Sequence, residues 1–393
     1  MQTNLISNLL NLKGVKVKKT ENSKDFVKIH LETPVTTQVC PSCKYDVKKI
    51  KGYHTQTIKD IPFQLKPTYL VLKKRRHKCT HCGCTFFEKL DFLPRYARKT
   101  TRVTEYIVEG LRSLTSAKNI AKSVNVSSYT VTRLLPYLAN PVVSMPKVLC
   151  IDEFRGNVGY EKFQLSLVDW ESKKFVDILE CRHKHFLCDY FKKIPLIERK
   201  KVKYVVIDMY KPYADVISTY FPSAKIVVDK FHYVRYANWI VNKLRIEVQK
   251  KLPKEERKFF KNSRKLLLSR RSNLKNDQQK DNLNYILINF SEELRIAYRE
   301  KEMLLDIVHN PNSEEATRLF NEWVTRNVSS DISLLRECAK MFHRWSWHIR
   351  NSLNCPYTNG PIEGLNNKIK VLKRIGFGFR NFDNFKARIM LLN

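Results

Sequence analysis

Three carboxylates stand where metal-dependent chemistry on a phosphodiester needs them. Asp152 follows the apolar run Val148-Leu149-Cys150-Ile151, and Asp208 follows a second run from Val202 to Ile207. Glu363 lies in PYTNGPIEGLNNKIKVLKRIGFGFRNFDNF, from Pro356 to Phe385. There Asn359 or Gly360 can cap a helix that has Pro361 at its first position, so Glu363 falls in the first turn. Lys368, Lys370, Lys373 and Arg374 follow on the same helix, a basic face suited to phosphate. Cutting or transferring a phosphodiester requires a nucleophile made from water or a 3′-hydroxyl, and a stabilised leaving oxygen. Two magnesium or manganese ions ~3.5–4 Å apart supply both. Such hard cations take oxygen ligands, and magnesium keeps part of its water, so a few carboxylates suffice. The expected assignment has Asp152 bridging two ions, Asp208 completing one and Glu363 the other. Glu153 is adjacent to Asp152 but belongs to the opposite face of its strand. Asp229 ends the run Ala224–Val228 with His232 three residues on, and is either a further ligand or a DNA-positioning neighbour. A single Asp after a strand is more often a turn or cap. Three such acids in an order that one fold can gather are what raise these above that reading.

A second constellation is built for a closed metal site. Cys40-Pro41-Ser42-Cys43 and Cys79-Thr80-His81-Cys82-Gly83 are knuckles that each turn two thiolates onto one ion, and four thiolates make a tetrahedral structural zinc site. The long stretch between them is no obstacle, because loop-closure entropy grows slowly with length. Cys84, and His77 or His81, are alternatives for one of the four ligands. A redox Cys-x-x-Cys lacks the strand–helix context it needs here. Between the knuckles runs Lys73-Lys74-Arg75-Arg76-His77-Lys78, a basic strand placed for phosphate contact.

The whole chain carries the same sign. Its 73 Lys+Arg against 38 Asp+Glu leave a net charge of +35, spread along the sequence rather than gathered in a tail. A charge that large opposes compaction and implies a polyanionic partner, expected to be double-stranded DNA along an extended track, with ribosomal or membrane-surface binding as the rarer alternatives. No apolar run approaches the ~18–20 residues that span a bilayer, and the opening MQTNLISNLLNLKGVKV lacks the order of a signal peptide. Ten cysteines, four of them in the knuckles, do not form a disulfide framework, so a reducing cytoplasm is expected.

With 393 residues, 43% of them hydrophobic, the chain can hold several cores. Residues 1–93 read as a strand-rich zinc-binding module. Residues 94–146 read as helices and a linker (Asn140-Pro141 to Met145-Pro146). Val103, Ile107, Val108 and Leu111 share one face there. Ser116 to Leu135 reads as helix, short turn and helix, which would set Tyr129, Thr130 and Arg133 toward a DNA groove. An ordinary helical hairpin is the competing reading. From 147 to 231 a three-strand antiparallel meander is followed by strand–helix repeats, the ribonuclease H-like order, with chemistry expected at the ends of the parallel strands. Residues 232–350 read as a basic all-helical insertion, either DNA-tracking or solvated, and 351–393 as the return to the core bearing Glu363.

These motifs together resemble the ISL3 family of bacterial insertion-sequence transposases, within the DDE class. The resemblance rests on the two knuckles, on Ile151-Asp152-Glu153-Phe154, Val206-Ile207-Asp208-Met209 and Val228-Asp229-Lys230-Phe231-His232, and above all on the stretch from Asn359 to Lys370. Lys230 stands where the family pattern places arginine. What the resemblance implies is a multidomain α/β protein: zinc-binding module, helix-turn-helix, and a ribonuclease H-like core interrupted by a helical insertion. It also implies an acidic triad at Asp152, Asp208 and Glu363, one structural zinc, and movement of a DNA segment bounded by inverted repeats by a homodimer or higher assembly. A domesticated DNA-binding regulator that lost the chemistry is the alternative, and a structure-selective nuclease a third.

Overall fold

A computed structural model describes residues 10, 12, 14–138, 144–159 and 161–392, so the start of the expected linker, 139–143, lies outside the described residues. The chain forms two compact units, Met1–Asn140 with Ile369–Asn393, and Pro141–Lys368.

In the first unit β1 (Lys16–Asn22), β2 (Val27–Glu32) and the long hairpin of β5 (Ile50–Phe63) and β6 (Lys66–Lys78) make a sheet in the order β1-β2-β6-β5, with β7 (Thr85–Phe87) also on β6. The hairpin turns at Gln64 and Leu65, both at positive φ (51° and 63°), the backbone that matches the twist of two antiparallel strands. Two short strands, β3 (Gln38–Val39) and β4 (Asp46–Val47), pair separately. Leu70 and Leu72 of β6 meet Ile29, Leu31 and Ile58 in the core. Arg75 has the other parity and turns to the opposite face. This corrects its place in the expected phosphate-binding strand. Arg75 is 4% exposed, donates to the Thr33 carbonyl at 2.6 Å and pairs with Glu88 at 3.3 Å. Lys73 and Arg76 stay exposed and Lys74 is half-buried. Arg75→Ala is therefore expected to destabilise the protein by about 3–5 kcal/mol by stranding a buried Glu88. An unchanged denaturant midpoint would contradict the inward role.

Four helices complete this unit: α1 (Thr101–Arg112), α2 (Ala117–Ser123), α3 (Ser128–Thr132) and α4 (Leu135–Leu138). Ser116 caps α2 and Ser127 caps α3, each accepting the N–H three residues on. The second helix of the pair stops sooner than its sequence pattern predicts. Pro136 supplies no N–H and its ring excludes the carbonyl four residues back, so α3 ends at Thr132. The C-terminal helix (Phe382–Met390) joins this core through Ala387, which packs among Val103, Ile107, Leu111 and Val131. Arg388 donates to the Ser113 and Thr115 carbonyls (2.8 and 2.6 Å), just past the end of α1. The expected segment 351–393 is thus split, its last 25 residues, Ile369–Asn393, grouping with the N-terminal unit.

The second unit holds a five-stranded sheet, β10-β9-β8-β11-β12. β8 (Val148–Phe154), β9 (Gln164–Asp169) and β10 (Lys174–Leu179) run antiparallel. β11 (Tyr204–Ile207) runs parallel to both β8 and β12 (Lys225–Val228). The buried parallel strands are near-continuous apolar runs, as strands covered on both faces must be. One face packs on α5 (Lys184–Lys192) and α7 (Lys211–Tyr220), which precede and follow α6 (Leu196–Arg199) in the chain; Leu149, Ile151, Phe191, Tyr213 and Ile217 form that core. From α8 (Lys230–Lys251) the described chain is helical, without a strand, through α9 (Lys254–Asn262), α10 (Arg264–Leu268), α11 (Asp277–Asn289), α12 (Glu292–His309), α13 (Ser313–Asn327), α14 (Ser333–Arg344) and α15 (Ser346–Leu353). These helices bury their own core around Tyr233, Phe320, Trp323 and Phe342. The segment returns to the sheet where Asn351 donates to the Ile226 carbonyl at 2.8 Å. It delivers α16 (Gly360–Ile375). No described helix is long and apolar enough to cross a membrane.

Candidate active site

The register that sets Val206 beside Cys150 carries Asp208 level with Asp152 at the ends of neighbouring parallel strands. Strand parity puts Asp152 and Cys150 on one face and Glu153 on the other. Glu153 is engaged there by Tyr213 Oη at 2.6 Å and Arg182 at 2.5 Å, as a structural carboxylate. On the Asp152 face lies the start of α16, where the Cys150 thiol reaches the Thr358 carbonyl at 3.7 Å. Asn366 Nδ2 donates to Asp152 Oδ2 at 2.9 Å, and Asn359 Nδ2 to Asp208 Oδ1 at 3.4 Å. Ser166 of β9 locks the Asn366 amide by donating to its Oδ1 at 3.3 Å.

Glu363 follows Asn359 by four residues and precedes Asn366 by three, so the three share one stripe of the helix. Its N–H closes the first turn onto the Asn359 carbonyl at 3.0 Å. Both asparagines are buried, whereas Glu363 is exposed. The structure thus brings Asp152 and Asp208 together and aligns Glu363 with the residues that touch them. It does not draw the three carboxylates into one closed ligand set: they are not among the groups with every ligand atom within 4.8 Å.

Electrostatics mark the same place. Burial, then the charge of Asp208, pushes the Asp152 carboxyl up to about 6. Burial works against a charged His232, but its 2.9 Å contact with Asp208 outweighs that and raises it above the usual histidine range. Asp229 is buried, which raises its carboxyl, and it accepts the backbone N–H of Asn359, tying the end of β12 to the start of α16. Asn359 Oδ1 is buried without a partner beside this acidic cluster. Crowded carboxylates and an orphaned amide oxygen are a hard-oxygen environment that a divalent cation satisfies.

The asparagines are what sequence reading missed. Asn359 was visible as a cap and Asn366 as part of a motif, while their shared stripe with Glu363 was the available signal. If the site cleaves DNA strands, as the sequence resemblance implies, Asn366→Ala is expected to lower that cleavage ~10–100-fold by freeing Asp152, with DNA affinity unchanged. Single-turnover cleavage at saturating protein checks it, and a wild-type rate would remove Asn366 from the site.

In the first unit the sulfurs of Cys40, Cys43, Cys79 and Cys82 all lie within 4.8 Å of one another. The knuckles share one backbone path: the Lys44 and Gly83 N–H groups, both at positive φ, return to the Cys40 and Cys79 carbonyls at 3.0 and 3.1 Å. The Cys43 N–H holds the Cys40 thiol down at about 6 and the Cys82 N–H lowers Cys79, while burial and the neighbouring sulfurs push Cys43 up to about 12, a crowding that one cation relieves. Cys84, His77 and His81 stand outside this group, and His81 stacks on Tyr45. Tyr129 and Arg133 are exposed around α3, and Thr130 is half-buried against Ser127. On α16 Lys368 and Lys370 are exposed and Lys373 half-buried.

Residues 149–389 match a family model for the ISL3 group of DDE proteins, described as transposase. Residues 36–82 match the zinc finger of the transposases of IS204, IS1001, IS1096 and IS1165. The transposase for insertion sequence element IS1001 of Bordetella parapertussis is 26% identical over 396 residues, covering 98% of this chain and 97% of that protein. An ATP-dependent protease of Lactococcus lactis subsp. lactis is 38% identical over 105 residues, 27% of this chain and 32% of its own length.

Proposed function

Because this chain belongs to the ISL3 family of transposases, we propose that it binds the terminal inverted repeats of an insertion sequence, cleaves the element's ends and joins them to target DNA. The observation that carries this reading is the pair Asp152 and Asp208 on adjacent strand ends, each held by an asparagine that brackets Glu363 on α16. In this reading the five-stranded sheet is a ribonuclease H-like core, and Asp152, Asp208 and Glu363 would hold two divalent ions. Those ions, magnesium or manganese, would supply activation of the attacking hydroxyl and neutralisation of the leaving oxygen.

The chain's own residues do the positioning. Asn366 and Asn359 orient the two aspartates, Asp229 fixes the helix start, and His232 keeps a proton on its imidazole facing Asp208. The zinc ribbon, the α2–α3 pair as a helix-turn-helix and the exposed Lys73, Arg76, Lys368 and Lys370 contact DNA. A homodimer or larger assembly pairs the two ends. The seat of action is the bacterial nucleoid.

Joining separates this reading from its rivals. With a pre-cut, labelled inverted-repeat end and a target plasmid, the transposase reading expects a covalent joint between the end's 3′-hydroxyl and the plasmid. Hydrolysis without joints would make the protein a nuclease. Binding alone would make it a domesticated regulator.

A further inference from the structure

The ribbon cysteines are matched by a second group whose ligand atoms converge within 4.8 Å, Glu161, Cys181 and His183. We propose that these three residues bind a second zinc ion, separate from the ribbon zinc and from the carboxylate site, with water in the fourth position. A thiolate, an imidazole and a carboxylate are a borderline donor set that suits Zn²⁺ in tetrahedral geometry and suits magnesium poorly.

One hydrogen bond of the zinc ribbon recurs here. The His183 N–H donates to Cys181 Sγ at 3.3 Å, from two residues on. In the knuckles Cys40 and Cys79 accept N–H groups from Ser42 and His81, at the same offset. Each such bond points a backbone N–H at a sulfur placed to coordinate an ion. His183 Nε2 is already 3.6 Å from Glu161 Oε1.

The loop that supplies Glu161 is also built in advance. Gln164, fully buried, donates through Nε2 to the Val158 carbonyl at 3.0 Å and the Glu161 carbonyl at 2.8 Å. Gly159, at φ 70°, approaches so closely that a Cβ there would lie 2.3 Å from Glu180 Oε1. Gln164 thereby ties the loop to the start of β9, and Gly159 lies against Glu180, immediately before Cys181. The consequence reaches the candidate active site. Arg182 stands between two ligands and holds Glu153 at 2.5 Å, next to Asp152. An ion on Cys181 and His183 fixes the backbone of Arg182 and, through Glu153, the end of β8.

The test is the zinc content of the full-length protein after dialysis against excess magnesium, measured by plasma mass spectrometry. Two zinc per chain are expected for wild type, and one for Cys181→Ser, His183→Ala or Cys40→Ser/Cys43→Ser. The combined variants should hold none. His183 is exposed, so its variant is expected to keep the wild-type fold by circular dichroism. Cobalt loading gives a second readout: Cys181→Ser should lose part of the thiolate-to-cobalt absorption, and the rest should vanish with the ribbon thiolates. One zinc per wild-type chain, unmoved by Cys181→Ser and His183→Ala, would overturn the proposal and leave a His183–Glu161 ion pair.

Discussion

Asp152→Asn is expected to reduce cleavage of the element's ends by ~10³-fold or more, while affinity for those ends stays within about twofold of wild type. The substitution keeps size and shape and removes one charge. Asp152 sits on β8 beside Asp208, where burial and that neighbour already push its carboxyl up to about 6. A cation bound there would reverse this, because it stabilises the ionised acid that burial and Asp208 disfavour. The amide of asparagine offers one neutral oxygen in place of two charged ones and would hold a divalent ion far more weakly. The residues proposed to bind DNA lie on other elements, so binding should survive. Gel-based cleavage and fluorescence anisotropy on the same protein separate the two effects. A variant that cuts at the wild-type rate would place the chemistry elsewhere.

Replacing the first knuckle, Cys40→Ser/Cys43→Ser, is expected to cost at least ~100-fold in affinity for inverted-repeat DNA, with weak, salt-sensitive binding to any DNA retained. The physical basis is that zinc-module folding is metal binding: the ion contributes on the order of 10 kcal/mol to such small domains. The apolar cluster at the ribbon is Cys40, Val47 and Cys79, with Cys43, Cys84 and Phe86 against them, too small to hold itself. The sheet of the second unit has its own apolar core and should melt as before. A chelator titration should reproduce the variant. Specific binding that survives both treatments would dissociate the ribbon from end recognition.

Much of this architecture was legible because its signals are local. Cys-x-x-Cys turns, continuous apolar runs for buried parallel strands and the Asn-Gly-Pro helix start each declare themselves within a few residues. What was not legible depends on partners far along the chain. Arg75 looks like its basic neighbours, and only the approach of Glu88 and Thr33 decides that it turns inward. The helix Phe382–Met390 is amphipathic enough to cover any core, and nothing in its nine residues says that it joins α1–α4. Asn366 is an ordinary helical asparagine until β8 and β9 bring Asp152 and Ser166 to it. Glu161, Cys181 and His183 lacked a recognisable spacing because a strand and a clamped loop, not a turn, bring them together.

The central claim is tested most directly by incubating wild type and Glu363→Gln, side by side, with magnesium and DNA carrying the inverted repeats that flank the gene. The account predicts cuts at the repeat boundaries by wild type alone, dependent on the metal, with both proteins binding the ends. Equal cutting by Glu363→Gln, or cutting by wild type in the presence of chelator, would contradict it.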